Sequence, residues 1–97
     1  MSSRQSVEHP GFEIARIIAH KGFSGSMMAQ RSGLSKSLIS QILSGNRRVT
    51  PNSALKLARA LGVDAMDLVA KQRAFDLWVE NQKIDKTLEP QRSSYDD

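Results

Sequence analysis

The stretch SKSLISQILSGNRR, residues 35–48, carries Lys36, Ser37, Ser40, Gln41 and Ser44 at helical spacing and closes on Asn46, Arg47 and Arg48. These are hydrogen-bonding and cationic groups with no acid among them. In this pattern they suit recognition of a polyanion rather than the making or breaking of bonds. Serine inside a helix is roughly half a kcal/mol worse than alanine. A helix that accepts three of them uses that face for something other than its own stability. With Ile39, Ile42 and Leu43 turned inward, Lys36, Ser37, Ser40 and Gln41 form one outer face short enough to enter a DNA groove. Lys36 suits guanine O6/N7 and Gln41 suits a bidentate pair with adenine, while Ser37 and Ser40 can meet base edges. Ser26, Ser35, Ser44, Asn46, Arg47 and Arg48 are the candidates for phosphate contacts, which position a protein without specifying sequence.

Catalysis finds little support. The chain has no cysteine and only two histidines, His9 and His20. His20 lies on a basic stretch, and His9 precedes Pro10 at a helix start, where capping or packing is its ordinary work. Asp64, Asp67, Asp76 and Glu80 read as a solvated helix face, and Met27 and Met28 as core filling. The expectation is a non-enzyme with no cofactor and no metal site.

The charge agrees with a polyanion partner. The formal net charge over 97 residues is +4. Residues 1–50 hold seven Lys/Arg against Glu8 and Glu13, whereas residues 51–97 hold seven against eight acids. From Ile14 to Val63 no acid occurs among eight Lys/Arg. A face that is merely solvated mixes signs to limit self-repulsion; one-sign segregation favours nucleic acid. The stretch MSSRQSVEHP has no apolar core of a signal peptide, and no apolar run reaches membrane-spanning length. These features predict a cytoplasmic protein with no membrane partner.

The elements that must position these residues read as helices throughout. GFEIARIIAHKG puts Ile14, Ile17 and Ile18 on one face, with Gly22 able to close the helix. A short second helix starts at Ser24 or Gly25 and stops at Gly33. Ser35 caps a third, running to about Ser44 and closed by Gly45. In VTPNSALKLARALG, Thr50 caps, Pro51 takes the first helical position, and Ala54, Leu55, Ala58 and Leu61 form the apolar stripe. Asp64 caps a fifth helix expected to end near Gln82. Residues 1–8 and 83–97 are expected to be flexible, leaving 9–82 as the working domain.

Helices two and three meet through a few residues around Gly33, the spacing of a helix-turn-helix. Ala29 is small enough for close packing, and Met28, Leu34, Ile39 and Ile42 share the core. Ser32 departs, because that position is more usually apolar. The amides near Gly25–Ser26 would face a phosphate, as at other helix N-termini. On the fifth helix Phe75, Leu77, Trp78 and Val79 cover too wide an arc for one packing surface, so a second copy is the expected partner. A protein-interaction module without DNA binding would also explain these four residues, but not the acid-free basic half.

The stretch from His9 to Trp78 resembles the HigA-type antitoxins, a branch of the Xre/Cro-like helix-turn-helix family. The resemblance is carried by HPG at 9–11, residues 23–51 ending in RRVTP, ALKLARALG at 54–62, Gln72, and FDLW at 75–78. It implies an all-α, compact five-helix bundle of the lambda-repressor-like type, acting as a homodimer on a palindromic operator in double-stranded DNA. It further implies a RelE-like toxin partner of HigB type that cleaves mRNA on ribosomes, neutralised by the antitoxin, which also represses the shared operon. Solitary relatives of this fold act as repressors without a toxin. Gly25 stands where the family often begins helix two with Gln, Ala65 replaces a Pro, and Asp67 and Leu68 replace an aromatic pair.

Overall fold

Every helix start carries a side chain that accepts a backbone N–H, which is why these short helices begin where they do. The computed structural model describes residues 6–95, with side chains through Lys86. Its elements are α1 (Pro10–Lys21), α2 (Gly25–Ser32), α3 (Lys36–Leu43), α4 (Pro51–Leu61) and α5 (Ala65–Tyr95), with no strand among the described residues. His9 Nδ1 accepts from the Gly11 N–H at 2.8 Å, Ser24 Oγ from Met27 and Ser35 Oγ from Leu38, both at 3.1 Å. Thr50 and Ser53 cap each other's amides reciprocally. Each such cap contributes about 1 kcal/mol.

Ile14, Met28, Ile42, Leu57 and Leu68 are fully enclosed, one from each helix, so a single core joins all five. The apolar stripe of α4 is Ala54, Leu57, Ala58 and Leu61, and Leu55 is 51% exposed, contrary to the sequence expectation. The reason is geometric: Leu57 lies three residues beyond Ala54 and shares its face, whereas Leu55 is turned about 100° away. Met27 likewise faces solvent at 39% exposure, and Met28 alone fills the core.

The helix pair α2–α3 turns at Gly33, whose φ of 79° lies in the left-handed region that glycine enters without penalty. Ser32 proves to be part of that turn. Its buried hydroxyl donates to the Met28 carbonyl at 2.6 Å and accepts from the Leu34 N–H at 3.1 Å. An apolar side chain there would leave the Leu34 amide without this acceptor.

α5 continues to Tyr95 rather than ending near Gln82. No glycine interrupts residues 65–89, and Lys, Glu and Gln there are good helix formers. Its first half packs on α4 and α1 through Leu68 and Val69, and Lys71 bridges Glu13 of α1 and Asp67 of α5. From Glu80 to Lys86 every residue is exposed. The outermost residues of the expected flexible ends, 1–5 and 96–97, lie outside the described residues. At the described N-terminal edge Glu8 pairs with Arg16 through two 2.8 Å hydrogen bonds.

Candidate nucleic-acid interface

The third helix has two faces of opposite character. Ile39 and Ile42 are buried, while Lys36, Ser37, Ser40 and Ser44 are exposed and Gln41 is half-buried. The cap at Ser35 fixes the register, and the core fixes the rotation, so the four candidate base-reading residues do share one outward surface. Leu38 is half-buried and completes the core. Lys36 Nζ reaches across to Ser26 Oγ at 3.4 Å, joining the start of α2 to the start of α3. Gly25 leaves room at that junction: a Cβ there would meet only the Lys36 Cε, at 3.9 Å.

Ser26 accepts from Lys36, and the other five phosphate candidates divide into two groups. Ser35, Ser44 and Asn46 are engaged locally at the ends of α3. Ser44 Oγ donates to the Gln41 carbonyl at 3.1 Å and accepts from Asn46 Nδ2 at 3.0 Å, which shapes the loop after the helix. Arg47 and Arg48 project from that loop. Arg47 Nε donates to Gln41 Oε1 at 3.0 Å, linking one of them to the outer face of α3.

Arg48 does have an acidic partner, although none lies near it in sequence. Its Nη1 and Nη2 both meet Asp76 Oδ2, at 2.9 and 2.8 Å. Asp76 is therefore not part of a merely solvated face. Its other oxygen accepts from Gln72 Nε2 at 2.9 Å, and Gln72 Oε1 accepts from the Val49 N–H at 2.8 Å. Gln72 is buried, 3% exposed, so the chain Val49–Gln72–Asp76–Arg48 runs from inside the protein to its surface. An i,i+4 Gln–Asp pair is legible on a helix; its two distant partners are not.

His9 holds the same loop from the other side. Burial, the largest effect, pushes its pKa below the ordinary 6.5, while a hydrogen bond to the Arg47 backbone and the Asp76 charge oppose that shift. Its ring meets Phe75 edge-on, with centroids 5.1 Å apart. His9, Asn46, Arg48, Phe75 and Asp76 thus line one open cleft of about 350 Å³. Arg31 is occupied elsewhere, stacked over the Phe23 ring at 4.5 Å.

The four aromatic and aliphatic residues of α5 do not form one patch. Phe75 and Trp78 lean on each other at 5.9 Å and, with Val79, are half-buried. Leu77 is 63% exposed, about 200° around the helix from Phe75. It lies on the same outer side as Met66 and Ile84, both exposed.

This arrangement can grip and read a duplex, and it holds no group of three or more metal-ligating side chains among the described residues. No helix is long and apolar enough to cross a membrane there. The family profile described as helix-turn-helix matches residues 14–68. The chain belongs to that family. The match spans the core of α1 to the start of α5, so it includes both the turn at Gly33 and the arginines of the following loop. The family is one of DNA-binding regulators of Xre-like fold, not of enzymes. Among its relatives, the virulence-associated protein I of Dichelobacter nodosus is 36% identical over 76 residues, covering 76% of this chain and 69% of that protein. Two solved structures superpose closely. One, described as an antidote protein of a plasmid maintenance system from Nostoc punctiforme, has a TM-score of 0.82 at 28% identity, covering 89% of this chain and 94% of its own. The other is an addiction module antidote protein of a HigA family from Coxiella burnetii, with a TM-score of 0.79 at 25% identity and coverage of 89% and 95%.

Proposed function

We propose that this protein is a homodimeric repressor that binds a palindromic operator in double-stranded DNA and serves as the antitoxin of a type II toxin–antitoxin pair. One observation carries the DNA-binding half: an outer face of α3 built only from Lys36, Ser37, Ser40 and Gln41, joined by a hydrogen bond to Arg47. Those four residues read bases; Ser26, Ser35, Ser44, Asn46, Arg47 and Arg48 address phosphates. Two copies related by a two-fold axis would set these faces one helical turn apart, ~34 Å. Residues 9–82 form the working domain, with 1–8 and 83–97 outside it.

The antitoxin half draws its support from the two antidote structures, which share this fold over most of their length. In this reading the chain neutralises an mRNA-cleaving toxin of RelE-like fold, of HigB type, and represses the operon that encodes both.

Fluorescence anisotropy with a labelled duplex across a salt series tests the first half. Affinity should fall steeply with salt, and Arg47→Ala should reduce the slope by about one. Salt-insensitive or absent binding would leave an interaction module in its place. For the second half, the chain is co-expressed with any short basic reading frame beside its gene. Co-purification with relief of that product's toxicity supports the antitoxin; a gene without such a neighbour belongs to a solitary regulator.

A further inference from the structure

The two loop arginines stand side by side in sequence but hold different partners. Arg47 rests on the neutral amide of Gln41, from which it can part without separating charges. Arg48 rests on a carboxylate. That carboxylate is held in place: the Val49 N–H fixes the Gln72 amide with its oxygen toward the loop. The amide nitrogen is thereby turned to Asp76 Oδ1, which leaves Oδ2 facing the guanidinium. The same guanidinium N–H donors that hold this carboxylate are the ones arginine offers to a phosphate, so the two anions are alternatives for Arg48.

We propose that Asp76 competes internally with DNA phosphate for Arg48 and so limits how tightly this protein holds any duplex, whatever its sequence. The proposal rests on the DNA-binding reading above. For Arg48 to grip the backbone it must leave Asp76, so part of the phosphate attraction is spent on parting an existing ion pair. Because Gln72 has already ordered the carboxylate, the pair forms with less loss of side-chain freedom than two mobile surface groups would incur. The pair is half-exposed, with side-chain exposures of 61% for Arg48 and 34% for Asp76, so water and salt weaken it. The expected restraint is therefore modest: about two- to fivefold in affinity.

The test measures full-length protein on a random-sequence duplex by anisotropy. Asp76→Asn retains the oxygen that accepts from Gln72 and removes the charge; Asp76→Ser removes the charge with a smaller side chain, and thermal melts verify that both fold. Each should tighten binding about two- to fivefold. Glu80→Gln makes the same change in net charge, but Glu80 pairs with Lys83, so it should tighten binding less. In an Arg48→Ala background the extra effect of Asp76→Asn should vanish. Tightening beyond that of Glu80→Gln that persists without Arg48, tightening that only matches Glu80→Gln, or none in either Asp76 variant, overturns the proposal. A wild type that shows no salt-sensitive binding would instead overturn the DNA-binding reading itself.

Discussion

Gln41 Oε1 accepts a hydrogen bond from Arg47 Nε at 3.0 Å, so a residue we propose reads bases also restrains one we propose holds phosphate. Removing Gln41 therefore has two effects of opposite sign. We expect Gln41→Ala to lose ~1–3 kcal/mol against the best operator and to change random-DNA binding much less, since Arg47 is then unrestrained. Lys36→Ala should show the same split. Equal losses on both kinds of DNA would reassign these residues to backbone contact.

The backbone of α1 touches α3 at Gly11. A Cβ there would overlap the Ile42 carbonyl oxygen, and no rotamer change can relieve a backbone clash. Gly11→Ala should lower stability by about 1–3 kcal/mol in urea unfolding, in the range of other overpacking substitutions. A variant as stable as wild type would mean that the two helices can part freely here.

Stability should also fall on mild acidification. His9 Nδ1 accepts from the Gly11 N–H, so the neutral ring is the one that caps α1, and burial holds its pKa below 6.5. A depressed folded pKa means that the unfolded chain takes up the proton first. The contribution is complete above pH 6.5 and is lost as pH falls from there through the folded value. Glu8, held below 4.5 by its hydrogen bonds to Arg16, titrates further down and does not blur that window. His9→Asn keeps a capping oxygen but no titrating ring. Urea unfolding between pH 7 and pH 5, roughly spanning the histidine range, should show a smaller loss for the variant. An unchanged pH dependence would exclude His9 as its source.

How far the sequence spoke depended on distance along the chain. Ser35, Thr50 and Asp64 are legible as caps because each acts on an amide two or three residues away; Ser24, one of two possible starts for α2, is fixed as a cap by its bond to the Met27 N–H. The outer face of α3 followed from one helical period and two buried isoleucines. Leu55 and Leu57 flank Lys56, and helical spacing separates them: Leu57 shares the face of Ala54, whereas Leu55 does not. Asp76 reads as solvated in the sequence because its cation lies 28 residues away, and Gln72 meets Val49 across 23. An acid-free stretch of sequence is not an acid-free neighbourhood in space.

The split between Phe75 and Leu77 sharpens the expectation of self-association. Phe75 is already engaged by His9 and Trp78, whereas Leu77 faces solvent on the outer side of α5, which carries exposed Met66 and Ile84 at other turns. Burying each such large side chain would contribute ~1.5–3 kcal/mol. We expect sedimentation at micromolar concentration to find a wild-type dimer. Leu77→Glu should be a monomer of unchanged helicity, and Trp78→Ala should weaken the dimer less. A monomeric wild type, or a Leu77→Glu dimer with full operator affinity, removes this helix from the interface.

The supports around α3 are unequally shared between its ends. At the C-terminal end the Gly11 backbone abuts the Ile42 carbonyl, and Gln72 secures Val49. At the N-terminal end the polar contacts are the Ser35 cap and the Lys36–Ser26 hydrogen bond. Opening free energies, read from amide exchange, should therefore rise from Lys36 toward Leu43 and into the loop. On the proposed reading, the arginines that address phosphate would then sit on stiffer ground than the first turn of the helix. A protein sliding along DNA could then keep its hold on the backbone and test successive base pairs by small, fast motions of that turn alone.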